Sequence, residues 1–163
     1  MKKMALDATD IRILCVVQQQ GHLSKSRLAE LVHLSPTPCW ERLNKLKTAG
    51  LIRGYYANIA LNLIADVTKV VVTISLSSHR NSDFDRFESH ICKLDQVIDC
   101  IATGGGTDYV MKVVTSNLTE FQNIMENLLA AELGIERYMT YIVTREIKSS
   151  QPNLKLLANK QDC

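Results

Sequence analysis

Two groups of residues stand out for the chemistry their types and spacing allow. The first is Ser35-Pro36-Thr37-Pro38, followed at helical spacing by Arg42, Lys45 and Lys47. Hydroxyls and cations along one helical face suit recognition of a polyanion rather than the making of bonds. The second is the run Gly104-Gly105-Gly106-Thr107-Asp108. Consecutive glycines leave backbone N–H groups open to a carboxylate, and an aspartate beside them suits an ammonium group. A carboxylate and an ammonium together describe an amino acid zwitterion. The same residues also make an ordinary hairpin turn in which Asp108 caps its own backbone, and spacing alone leaves both readings open.

Other chemistry has little support. His22, His33, His79 and His90 are scattered, with no helical pairing and no acidic partner motif. No P-loop, dinucleotide fingerprint or nucleophile elbow occurs, so no catalytic residue and no cofactor is assigned. The five cysteines, Cys15, Cys39, Cys92, Cys100 and Cys163, are odd in number and lack CxxC spacing. That pattern indicates neither a disulfide framework nor a metal site; it predicts reduced thiols, most of them buried. A redox role for Cys39 is disfavoured because it falls on the inward side of its helix.

These groups need a scaffold. Asp7 caps a helix over residues 7–20 whose apolar side is Ile11, Ile13, Leu14 and Val17, and Gly21 stops it. Ser24 opens a second helix with Leu28, Leu31 and Val32 inward. Residues 33–35 turn. Ser35 caps a third helix, with Pro36 at its first position and Cys39, Leu43 and Leu46 inward, until Gly50. The order predicts a helix-turn-helix in which the third helix enters the major groove of double-stranded DNA. Its outer side assigns Ser35, Thr37, Pro38 and Arg42 to phosphates and base edges, with the Arg42 fork matched to guanine. Lys45, Lys47 and Arg53 are assigned to phosphates, and Ser24 and Lys25 to a phosphate at the second helix. Trp40 packs at the domain edge in preference to touching DNA. Residues 51–59 have the composition of a small wing or an outgoing strand.

Charge follows the same division. Residues 1–60 carry nine Lys/Arg against four Asp/Glu, and residues 61–163 carry ten against thirteen. A basic first part and an acidic remainder place the polyanion on the first part.

Beyond a linker at 61–67 the apolar period falls from 3.6 to 2. Strands are predicted at 70–76, 97–103, 109–115 and 138–147. Helices fall between them, one capped by Ser82 and Asp83 with Phe84, Phe87, Ile91 and Leu94 inward. The other is capped by Asn117, with Leu118, Phe121, Met125, Leu128 and Leu129 inward. The fold class is α+β: a winged helix-turn-helix domain over 1–60 and a ferredoxin-like βαββαβ domain over 68–148. Residues 149–163 read as a mobile tail or an arm onto a partner. The apolar runs are shorter than the ~18 residues of a membrane span, and the N-terminus lacks the apolar core of a secretory signal. A cytoplasmic protein without membrane contact is expected.

The segment from Leu34 to Leu43, Leu-Ser-Pro-Thr-Pro-Cys-Trp-Glu-Arg-Leu, resembles the Lrp/AsnC family of leucine- and asparagine-responsive regulators. Leu46, Gly50-Leu51-Ile52, Gly54-Tyr55, Gly105-Gly106-Thr107-Asp108-Tyr109 and Thr140-Tyr141-Ile142-Val143 extend the resemblance to nearly the whole chain, from about Leu6 to Lys148. It implies a transcription regulator, bacterial or archaeal and nucleoid-associated, that is not an enzyme. It also implies a homodimer assembling further, often to an octamer, with an amino acid or related metabolite as effector. The implied effector site, between subunits, takes Gly105, Gly106, Thr107 and Asp108 together with Tyr141 and Val143. Where the family commonly has one glycine in this turn, this chain has three, Gly104–Gly106, which widens or loosens it. The competing reading is a metabolite-binding and protein-association module without specific DNA binding.

Overall fold

The structure, a computed structural model, describes residues 4–158. They form two units, one from the residues up to Ile59 together with those from Lys148 on, the other from Ala60–Ile147.

The first unit holds helices α1 (Ala8–Gln20), α2 (Lys25–Leu31) and α3 (Pro36–Thr48). The Asp7 carboxylate accepts the Asp10 N–H at 2.7 Å while the Asp10 carboxylate accepts the Asp7 N–H at 3.3 Å, a capping box that starts α1. Ser24 Oγ accepts the Arg27 N–H at 3.2 Å and starts α2. Ser35 occupies the cap of α3 but its side chain makes no capping bond. An N-cap hydroxyl bonds the N–H of the second or third helical residue. The third is Pro38, which has none, and the Thr37 N–H is not taken either, so the exposed Ser35 keeps its hydroxyl free of the helix. Ile13, Val17, Leu28, Ala29, Val32, Cys39, Leu43 and Leu46 form the core, while Ile11, Leu14 and Leu31 are only half-buried.

The turn between α2 and α3 places His33 at φ 55°. A left-handed residue other than glycine costs about 1–2 kcal/mol, partly offset in a glycine variant by greater freedom when unfolded. His33→Gly is expected to stabilise the unit by about 0.5–1 kcal/mol, read as a rise in melting temperature. Residues 51–59 run without a ladder partner, so the expected wing forms no strand. The C-terminal segment, expected as a mobile tail or an arm onto a partner, returns to its own chain: α6 (Leu154–Ala158) packs on α1, and Gln18 Nε2 donates to the Pro152 carbonyl at 3.1 Å. Cys163 lies outside the described residues.

The second unit runs β1 (Thr68–Leu76), α4 (Asn81–Ile91), β2 (Val97–Ala102), β3 (Tyr109–Thr115), α5 (Leu118–Ala130) and β4 (Ile135–Ile142). The sheet order is β2-β3-β1-β4, antiparallel throughout, as βαββαβ requires. Val70, Val72, Ile74 and Leu76 of β1 join Tyr109, Met111 and Val113 of β3 beneath Phe87, Ile91, Phe121, Met125 and Leu128. Three expectations need correction. Leu118 and Leu129 lie off the buried face and are exposed. The cap of α4 is Arg80, not Ser82 or Asp83, because the helix begins at Asn81. And β4 covers Ile135–Ile142 instead of 138–147. A bulge after Ser75 carries pairing back to Leu76 with Ile135, and past Ile142 little of β1 remains to pair.

Candidate functional site

The polar strip of α3 is built as the apolar spacing requires. With Cys39, Leu43 and Leu46 inward, Thr37, Pro38 and Lys45 are exposed, as are Ser35 before the helix and Arg53 after it; Lys47 is half-buried. Cys39 is 1% exposed and burial pushes its thiol pKa up, which removes the thiolate a redox switch needs. Cys92 and Cys100, against expectation, are exposed.

Arg42 is also engaged within the fold. Its guanidinium donates to Asp7 at 2.5 Å and to Asp10 at 2.9 Å, and the Asp10 side chain is only 7% exposed. Both bonds are made by Nη1 alone, and through that one nitrogen Arg42 ties α3 to the start of α1. Two aspartates three residues apart at a helix start can hold a cation as well as capping N–H groups, but nothing local to them points to Arg42, 35 residues on.

Trp40 is half-buried against the core, as expected of an edge residue. What sequence reasoning missed is its company. Lys25 Nζ lies 4.1 Å from the indole centroid, Lys47 Nζ 5.5 Å from it, and Lys47 Nζ also 5.2 Å from the Tyr55 ring. The four residues come from α2, α3 and the segment after it, so no local spacing announces them.

In the second unit the hairpin from β2 to β3 is clamped at its base. Thr103 donates its N–H to the Asp108 carbonyl at 2.8 Å and its hydroxyl to the Thr107 carbonyl at 2.6 Å. Thr107 Oγ1 and the Asp108 N–H both donate to the Ile74 carbonyl, at 2.8 and 2.9 Å. Only Gly105 has positive φ, 133°, and no atom lies within 4 Å of where a Cβ would stand at any of the three glycines. Among the described residues none of the three glycine N–H groups donates within the chain. Asp108 caps a neighbouring strand: one carboxylate oxygen accepts the Leu76 N–H at 2.7 Å and the other meets His79 Nε2 at 3.1 Å. His79 therefore has the acidic partner that its sequence surroundings did not show. Arg137 Nη2 donates to the Gly106 carbonyl at 3.3 Å.

Tyr141 and Val143 are not beside this turn in one chain. Tyr141 pairs with Val71, three residues along β1 from Ile74, or about 10 Å at strand rise. Val143 pairs farther still, its N–H on the Lys69 carbonyl. Among the described residues no group of three or more His, Cys, Asp or Glu side chains is arranged to hold a metal ion, and no helix is long and apolar enough to cross a membrane.

Comparison with known proteins fits both units. Residues 6–53 match the winged helix-turn-helix DNA-binding family, and residues 69–153 match the Lrp/AsnC ligand binding domain. The transcriptional regulatory protein DoeX of Halomonas elongata is 38% identical over 153 residues, covering 94% of this chain and 97% of that one. The leucine-responsive regulatory protein of Haemophilus influenzae is 33% identical, covering 91% and 90%. A transcriptional regulator of Neisseria meningitidis, solved as its L-Met complex, superposes with a TM-score of 0.86 at 30% identity, covering 94% of this chain and 99% of its own. A recognition-helix unit with an exposed hydroxyl and lysine strip, joined to a βαββαβ unit that fits a ligand-binding family end to end, makes this chain a member of the Lrp/AsnC family of DNA-binding transcriptional regulators.

Proposed function

We propose that an amino acid or closely related metabolite binds at the Gly104–Asp108 turn and sets the assembly or DNA affinity of this regulator. The observation that carries the reading is the turn itself: three glycine N–H groups, without acceptors among the described residues, stand beside the Asp108 carboxylate, one group for each end of a zwitterion. Thr107 and Arg137 fix the loop, and the L-Met complex of the Neisseria relative supports methionine as the first compound to try. Gly105, Gly106, Thr107 and Asp108 contact the effector; Tyr141 and Val143 join them from another subunit.

The uncovered face of the sheet supports a homodimer, with higher assembly up to an octamer. Ile101, Met139 and Tyr141 are each more than two-fifths exposed there, apolar side chains on a face that a second copy can cover. The working compartment is the cytoplasm, where the nucleoid lies. The winged helix-turn-helix match over residues 6–53 sets aside an association module without DNA binding.

Ser35, Thr37, Pro38 and Lys45 form the reading strip, with Arg53 on phosphate. Thr37→Ala is expected to lower affinity for a specific operator about tenfold and leave non-specific duplex binding unchanged, the signature of a lost base contact. Duplex titrations repeated with each amino acid, beside melting-temperature shifts, test the whole reading. At least one amino acid, methionine first, is expected to raise the melting temperature and change the duplex affinity or oligomer size. If no amino acid does either, the effector reading fails while the DNA assignment stands.

A further inference from the structure

We infer that Lys25 and Lys47, held over the indole of Trp40, form a clamp for a single phosphate of the DNA backbone, with Trp40 as the residue that positions both. The arrangement of the two lysines is electrostatically odd. Both ammonium groups are drawn to one ring, at 4.1 and 5.5 Å from its centroid. They are therefore closer together than a Debye length, about 10 Å at 0.1 M salt, and repel each other. Two other cations of the same unit have carboxylates, Arg27 with Glu30 and Arg42 with Asp7 and Asp10. Among the described residues neither Lys25 nor Lys47 has one within ion-pair distance, and their ammonium groups lie instead against the Trp40 and Tyr55 rings.

Aromatic faces attract each cation modestly and leave the repulsion between them in place. An oxyanion between the two ammonium groups removes it, and a phosphodiester has the charge and the paired oxygens to meet both. The surroundings fit such a group. A cavity of about 240 Å³ opens at this point, with Ser24, Lys25, Trp40, Lys47 and Tyr55 in its wall. His22 packs edge-on to Tyr55 at 6.1 Å, which holds the far wall. Trp40 itself is seated against the helical core, so it is a rigid platform on which two flexible lysine stems lie. The unit is the basic part of the chain and the one that binds DNA, which makes backbone phosphate the source of the anion.

Sharing has a signature that two independent contacts lack. Each phosphate neutralised contributes about 0.9 to the slope of log affinity against log salt. With one shared phosphate, Lys25→Met and Lys47→Met together are expected to lower the slope by about 0.9, and neither alone by that full amount. A fall of about 1.8 in the double variant means separate phosphates, and an unchanged slope means no contact; either overturns the clamp. For the positioning role, Trp40→Leu is expected to weaken duplex binding about fivefold with the slope retained, and Trp40→Phe to restore most of it. Measured well below the melting temperature of each variant, equal affinity in wild type, Trp40→Leu and Trp40→Phe would reduce Trp40 to core packing and overturn that role. Titrations in sodium phosphate against sodium chloride at matched ionic strength separate the sources of the anion. A backbone phosphate and free phosphate meet the same two ammonium groups, so inorganic phosphate is expected to compete better against wild type than against the double lysine variant. Inorganic phosphate that raises the melting temperature of wild type and not of the double variant, while both show the same salt slope for duplex binding, assigns the site to free phosphate and overturns the DNA assignment.

Discussion

Arg42→Ala is expected to lower the melting temperature of the N-terminal unit by at least about 5 °C and to weaken binding to every duplex alike. The reason is the Asp10 carboxylate. It is nearly buried, it accepts from Arg42 at 2.9 Å and it belongs to the box that starts α1. Removing the guanidinium leaves a buried charge with its main cation gone, the costly way to break such a pair. A guanine-reading arginine behaves otherwise: its loss leaves the fold intact and relaxes preference at one base pair. Melting curves beside titrations on operator and scrambled duplexes distinguish the two. An unchanged melting temperature with a selective loss on the operator would falsify the tie between α1 and α3. Acid titration gives an independent handle. The Asp10 backbone N–H, then the Arg42 side chain, hold the Asp7 carboxyl below its usual 3.8. A depressed carboxyl contributes stability that is fully present above its unfolded value and is lost as pH falls through the folded one. Wild type is therefore expected to lose this contribution below about pH 4, and the Arg42→Ala variant to lose less there, since less is present at neutral pH.

Arg42 also shows where sequence reasoning reaches its limit. The helices, their starts at Asp7 and Ser24, and the inward trio Cys39, Leu43 and Leu46 were all legible, because capping and 3.6-residue spacing are local properties. So was the alternation of β1 and β3, which bury every second residue. The strand β4 was misjudged because it is exposed almost throughout: its limits are set by the register of β1 and the bulge after Ser75, not by its own pattern. The same holds for side-chain partnerships. Arg42 with Asp7 spans 35 residues and His79 with Asp108 spans 29, and nothing in the composition of either neighbourhood fixes such a distance. The glycine turn was legible as a turn, yet which of its glycines needs positive φ, Gly105 alone, follows from the closure of the hairpin at Thr103 and Asp108.

Asp108→Asn and Asp108→Ala are expected to part company, and the difference isolates the effector role. The carboxylate has two tasks in the free chain: it accepts the Leu76 N–H at the end of β1 and it meets His79. Its side chain is 18% exposed, so the Leu76 N–H finds little water to replace it. Alanine removes the acceptor and is expected to cost about 1–3 kcal/mol of stability in the βαββαβ unit, the usual penalty for a donor left without a partner. Asparagine keeps an oxygen for Leu76 and loses the charge. It is expected to melt within a few degrees of wild type and to bind operator DNA normally in the absence of effector. Yet an amino acid ammonium group loses its counter-charge in both variants, and a charge-assisted hydrogen bond is roughly twice as strong as a neutral one. The amino acid response is therefore expected to weaken by tenfold or more in Asp108→Asn, with basal DNA binding retained. Full effector affinity in Asp108→Asn would confine Asp108 to holding Leu76 and would move ammonium recognition to another group. Loss of the response only in Asp108→Ala, together with its loss of stability, would say the same. The decisive comparison is thus made in the variant that folds, and its readout is the effector concentration at half response.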